Sequence, residues 1–296
     1  MRPVVITVIL LSQVLTITCS DPRKSVSKAE ANPDFYLPQS QSTDPGELAW
    51  MYQNLPSDNN SLCKLIKKQF IHPIEVGPYR DVIPEERYFE DTVYQSVREM
   101  LKGLLQYDSG GLTEERQPEN RLVVACLHHS LLFASILRER SVPVRIRFGF
   151  APYIGRRVGK DVNISHVVCE VWNDAQSRWM YVDPDRHMVD FDSDEFITGA
   201  EAWGQMRAHD LDITKFRSAF FEEERSVLDM LRLDFFYGLR EEVMYWGDSG
   251  APEIPKFTEL SRTERRALDR ISQLLEQAGG HTKELRHLKD SVEFLQ

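Results

Sequence analysis

Residues 121–150 read RLVVACLHHSLLFASILRERSVPVRIRFGF. Leu127, Leu131, Ala134 and Leu137 recur at three- and four-residue intervals, the spacing of one helix face. Pro143, which cannot continue a helix, ends the pattern. Val144, Ile146, Phe148 and Phe150 then alternate with Arg145 and Arg147, which is the period of a strand. Downstream, a polar Gly-containing loop (IGRRVGKDVNIS) leads into a second strand, HVVCEVW, which His166 opens. NDAQSR makes a hairpin-like turn, and WMYVD is a third strand stopped by Pro184. One helix followed by adjacent antiparallel strands predicts an α+β fold.

The flanks are mostly helical. From Pro45 the apolar positions suit two short helices separated by PSDNNS, and residues 90–105 carry a further helical pattern. Beyond about residue 195, EFITGAEAWGQMRAHD, ERSVLDMLRLDFFYGLREEVMYW and SRTERRALDRISQLLEQA all show three-four spacing, the last opened by a Ser261/Glu264 capping box. The 296 residues are 42% hydrophobic and 28% charged, an ordinary globular balance. A net charge of −10 repels phosphate backbones and argues against nucleic-acid partners.

Residues 1–20, MRPVVITVILLSQVLTITCS, have the layout of a secretory signal peptide: one basic residue, an apolar run and small residues at the end. They predict a secreted or periplasmic protein, the alternatives being an uncleaved or Cys19-lipidated membrane anchor, or a cytoplasmic protein. Residues 21–45, rich in Ser, Asp, Pro and Lys, read as a flexible linker. Residues 46–247 then form the main domain and 248–296 a C-terminal helical extension. Without the leader, Cys63, Cys126 and Cys169 remain, an odd number that leaves at least one thiol free.

Three residues fall where nucleophilic acyl transfer wants them. Cys126 lies near a helix start, where unsatisfied N–H groups and the helix dipole favour a thiolate. His166 and Asp183 belong to neighbouring antiparallel strands, so the carboxylate can orient the imidazole while the imidazole takes the thiol proton.

The same residues carry a resemblance. ACLHHSLLFASILRERSVPVRIRFGF followed by SHVVCEVWNDAQSRWMYVDPD resembles the core of the transglutaminase-like superfamily: a Cys opening a helix, a Leu-Arg-x-x-x-Val-Pro-x-Arg turn into a strand, a His-bearing strand, then a Trp-x-x-Val-Asp-Pro strand. The matching positions are Cys126, Leu137, Arg138, Val142, Pro143, Arg145, His166, Trp172, Trp179, Val182, Asp183 and Pro184, over roughly 65 residues. A wider likeness to bacterial-type members runs from about Leu62 to Trp246. The resemblance implies a papain/transglutaminase-like core with helical N- and C-terminal additions. It assigns Cys126 as nucleophile, His166 as general base and acid, and Asp183 as orienting residue. The departure is His128-His129, where many relatives have an acidic and an aromatic residue.

Other positions admit a plain and a functional reading. Trp172, Trp179 and Arg145 are ordinary core or ion-paired residues, or they wall and anchor a substrate; His129 packs in the core or faces the site. No Cys-x-x-Cys pair accompanies Cys126, His128 and His129, so no metal and no cofactor is expected, and a zinc-bearing glycan-amidase relative is disfavoured. The expected activity is transamidation, deamidation or amide hydrolysis through a thioester, acting on a peptide or protein carboxamide with a small amine as optional acceptor. The alternative is a catalytically silent binding or scaffold module.

Overall fold

The structure is a computed structural model that describes residues 32–244, 253–277 and 281–296. The leader expected over 1–20 and the first part of the linker lie outside the described residues. The elements run α1 (Asn59–Lys67), β1 (Phe70–Ile71), α2 (Val97–Tyr107), β2 (Leu122–Val123), α3 (Cys126–Glu139), β3 (Val144–Ala151), α4 (Pro152–Arg157), β4 (Asn163–Asn173), β5 (Arg178–Asp183), β6 (Met188–Val189), β7 (Ile197–Thr198), α5 (Gly199–Ala208), β8 (Phe216–Arg217), α6 (Glu223–Gly238), α7 (Arg262–Glu276) and α8 (Thr282–Lys289). Short 3-10 turns connect them. The fold is mixed α+β. β6, β5, β4, β3 and β7 form an antiparallel sheet in that order, and β8 adds a short parallel pairing to β4.

α3 is buried along every face from Cys126 to Arg138, so it is a central rather than a surface helix. It packs on β3 and β4 and is flanked by α1 and α2. It ends at Glu139 in a turn with Ser141 in the left-handed region, ahead of Pro143, and β3 pairs along its whole length with β4 in the register Arg145↔Glu170 and Gly149↔His166. Gly149 has a steric reason to lack a side chain: a Cβ there would stand 2.1 Å from the Ile197 carbonyl oxygen on β7.

Several expectations are corrected. The helical pattern over 90–105 begins as a helix only at Val97, capped by Ser96, because Glu90 and Asp91 spend their hydrogen bonds on Val123 and Ala125 instead. The loop after β3 holds a short helix, α4, and β4 starts at Asn163, which puts His166 inside the strand rather than at its opening. The lead-in is not solvated throughout 21–45: Tyr36 and Thr43 are buried, and Thr43 meets Ser135 and Arg138 of α3. The C-terminal helical extension packs into the core. Leu268, Ile271 and Leu274 of α7 join the same apolar core as α3 and β3, and the 247/248 boundary itself falls outside the described residues. Ser261 and Glu264 do form the expected capping box, with side chain-to-backbone bonds of 3.2 and 2.8 Å.

The outer face of β3 and β4 carries a buried ionic cluster. Arg147 makes a bidentate pair with Asp234 of α6 at 2.8 and 2.9 Å and reaches Glu276 of α7 at 3.0 Å. Glu170 accepts from Arg147 at 3.2 Å and from Arg145. The two arginines thus face three carboxylates out of water, and removing one partner from such a set leaves an uncompensated buried charge. Among the described residues, no helix is long and apolar enough to cross a membrane.

Candidate active site

Cys126 opens α3 after Val124 and Ala125, with Ala125 as the extended residue before the first turn. The Ala125 N–H is held by Asp91 at 2.7 Å, which fixes the entry of the chain into the helix. His166 and His72 line the same cleft as Cys126 and lie near enough to act on its thiol.

The imidazole of His166 is positioned from its other nitrogen. The register Cys169↔Val182 puts Asp183 diagonally across from His166 on the same sheet face, within reach of long side chains. Nε2 of His166 donates to Oδ2 of Asp183 at 2.8 Å, leaving Nδ1 for the thiol. Asp183 is saturated: Oδ2 also accepts from the Tyr153 hydroxyl at 2.6 Å, and Oδ1 accepts the backbone N–H of Asp185 and of Arg186 at 2.9 Å each. Four donors on one buried carboxylate keep it ionised despite burial. Its pKa is accordingly lowered, with burial opposed chiefly by the His166 charge and hydrogen bond.

The electrostatics follow from these contacts. Burial pushes the His166 pKa down, but Asp183 and Cys126 together raise it to about 10. Burial pushes the Cys126 thiol up, yet the His166 charge and hydrogen bond, assisted by His72, bring it down to about 7. At neutral pH these directions favour a thiolate–imidazolium pair. Cys63 and Cys169 are fully buried and shifted the other way, upward, by desolvation.

Cys126 and His166 line a cleft of about 300 Å³ whose other walls include His72, Ile74, Phe89, Phe148, Phe220 and Leu233. His72 was not among the residues singled out from sequence. It precedes a 3-10 turn whose Ile74 N–H donates to its Nδ1 at 3.3 Å. With Nδ1 accepting, Nε2 is the ring nitrogen left to donate, on a ring that lines the cleft. Tyr153, on α4, is the other side chain of this hydrogen-bond network that no sequence pattern marks.

Four expected substrate residues lie elsewhere. Trp172 and Trp179 pair directly across β4 and β5, stack edge-on at 5.4 Å and bury against Tyr36. Six residues separate His166 from Trp172, about 20 Å along an extended strand, so neither Trp walls the cleft. Arg145 lies over Trp179 at 4.6 Å and is bound to Glu170, which leaves it no role as an anchor in this cleft. His129 is fully buried beneath the site: its Nδ1 donates to the Ala125 carbonyl at 3.1 Å, and its Nε2 faces Asp185 at 3.6 Å. Burial pushes its pKa down to about 3, so it is a neutral packing residue. Among the described residues, no group of three His, Cys, Asp or Glu side chains is arranged to hold a metal ion.

Comparison of the chain with protein-family models, curated proteins and solved structures finds no match.

Proposed function

We propose that the protein is a cysteine-dependent acyl-transfer enzyme of the transglutaminase-like type, built on a papain-like core. The observation that carries this reading is that Cys126 and His166 line one apolar cleft while His166 is held by Asp183, itself locked by four hydrogen bonds. In the reaction, the Cys126 thiolate attacks a carboxamide or peptide carbonyl. The oxyanion faces the unsatisfied N–H groups at the start of α3, with His72 Nε2–H as a further donor. His166 gives its proton to the departing amine, which leaves a Cys126 thioester. Water or a second amine, deprotonated by His166, attacks that thioester and regenerates the thiolate. Asp183 holds the imidazole orientation and supports its positive charge, while Tyr153 holds Asp183.

The substrate is a peptide or protein carboxamide, and the apolar cleft walls suit its hydrocarbon portions. The acceptor is water or a small amine. A leader-directed secreted or periplasmic location remains part of the proposal. A peptide library offered with and without a biotinylated amine, read by mass spectrometry, tests the activity. Cleavage, deamidation or amine incorporation by wild type that is absent from Cys126→Ala supports it. Equal product from both proteins refutes it.

A further inference from the structure

The Cys126 cleft contains a buried acid that acyl transfer does not use. α6 places Asp229 in its wall, among Phe220, Met230 and Leu233, and the residue is only 2% exposed. A carboxylate in an apolar wall is costly unless its oxygens are well supplied with donors. Two other buried carboxylates show the usual supply: Asp183 takes four hydrogen bonds, and Asp234 takes a bidentate guanidinium.

Asp229 has less. Arg232, on the same helix, reaches Oδ1 only at 3.5 Å, the outer limit of a hydrogen bond, and Ser218 is a polar neighbour that shares the cleft wall with Asp229. The mouth of the cleft is apolar as well, with Ile74 and Phe89 68% and 42% exposed. An oily slot with an under-coordinated carboxylate in its wall complements a ligand with an aliphatic stem and a cationic head.

We propose that the cleft selects substrates bearing a lysine- or arginine-like group, with Asp229 as the specificity-determining carboxylate. This rests on Cys126 being the nucleophile whose substrates the cleft admits. The cation is recognised and does not react: an ammonium held by a carboxylate keeps its proton and has no free electron pair to attack with. Arg232 occupies the carboxylate when the slot is empty and yields it when a cationic head enters.

The test needs no prior substrate. Cys126 is alkylated with chloroacetamides whose tails are matched in length and end in an ammonium, a methyl or a carboxylate group, and rates are read by peptide mass mapping. The wild type is expected to favour the ammonium tail over the methyl tail by about tenfold or more, and to disfavour the carboxylate tail. Asp229→Asn is expected to bring the ammonium-to-methyl ratio to within about twofold, and Arg232→Gln, which removes the competing cation, to raise it. Should Asp229→Asn fail to fold, the wild-type and Arg232→Gln ratios still decide. A wild-type ratio near one overturns the proposal. So does a preference that survives in Asp229→Asn, because that is steering by the net charge of −10 rather than recognition in the cleft. If all tails label slowly and His166→Gln changes none of them, the nucleophile reading fails first and takes this one with it.

Discussion

Replacing His166 with Gln removes the imidazolium while keeping a polar side chain of similar reach, and the effect on Cys126 can be worked through. With its pKa at about 7, Cys126 is about 9% thiolate at pH 6. A thiol at the ordinary 8.5 or so is about 0.3% thiolate there, roughly thirtyfold less. A more basic thiolate is intrinsically the better nucleophile, by about fivefold over this interval. The net loss of alkylation rate at pH 6 is therefore about sixfold. It is larger if burial, no longer opposed by the imidazolium, carries the thiol beyond the ordinary range. The assay is iodoacetamide labelling of Cys126 from pH 5 to 10, followed by peptide mapping. Wild type is expected to show an inflection near 7 and His166→Gln one above about 8.5, with the curves crossing at high pH, where the variant becomes the faster. His72→Gln moves the inflection the same way by less, because its contribution ranks below that of His166. Superimposable profiles, or a wild-type inflection above about 8.5, refute the thiolate–imidazolium pair.

Three further expectations concern the support of the site. His129 has a folded pKa pushed down by burial to about 3 against about 6.5 unfolded, so the unfolded chain binds the extra proton between those values. The stability it supplies is full above about pH 6.5 and falls by about 2 kcal/mol at pH 5. Urea unfolding of His129→Gln should show a correspondingly shallower decline from pH 7 to 5; parallel declines would contradict this. Arg147→Met strands Asp234, leaves Glu170 to Arg145 and Glu276 to the Thr198 hydroxyl, and should cost about 3–5 kcal/mol in the same assay, whereas a change below about 1 kcal/mol would mean that the cluster is not held by Arg147. Tyr153→Phe deletes one hydrogen bond to a charged group, about 1.5–3 kcal/mol. It should slow Cys126 turnover on an active peptide without moving Arg147-dependent stability, and an unchanged rate would remove Tyr153 from the positioning of Asp183.

Local patterns were legible where a short-range rule dictates them. The helix that stops ahead of Pro143, the hairpin that brings Asp183 beside His166, and the Ser261/Glu264 cap all follow from patterns within about twenty residues. What escaped depends on distant chain. Alternation marks Arg145 and Arg147 as one face of β3, but only α6 and α7, some 90 and 130 residues on, supply Asp234 and Glu276 to bury it. His72 enters the cleft of Cys126 from a turn that carries no motif, and Tyr153 sits in a stretch that reads as loop. Trp172 and Trp179 look like site walls in a linear motif, yet strand rise alone sets them about 20 Å from His166. Residues 90–96 have helical spacing, and the side chains of Glu90 and Asp91 override it by bonding to the strand that leads into Cys126.

The most direct measurement is to trap the acyl group on the protein. Wild type, Cys126→Ala and His166→Gln are mixed with a glutamine-containing peptide that proves reactive, quenched in acid within one turnover, and mapped by mass. The expected result is an acyl increment on the Cys126 peptide of the wild type, released by hydroxylamine, absent from Cys126→Ala and strongly reduced in His166→Gln. Product formation with no hydroxylamine-sensitive adduct on Cys126, or an adduct equally abundant in His166→Gln, would contradict a thioester mechanism at this site.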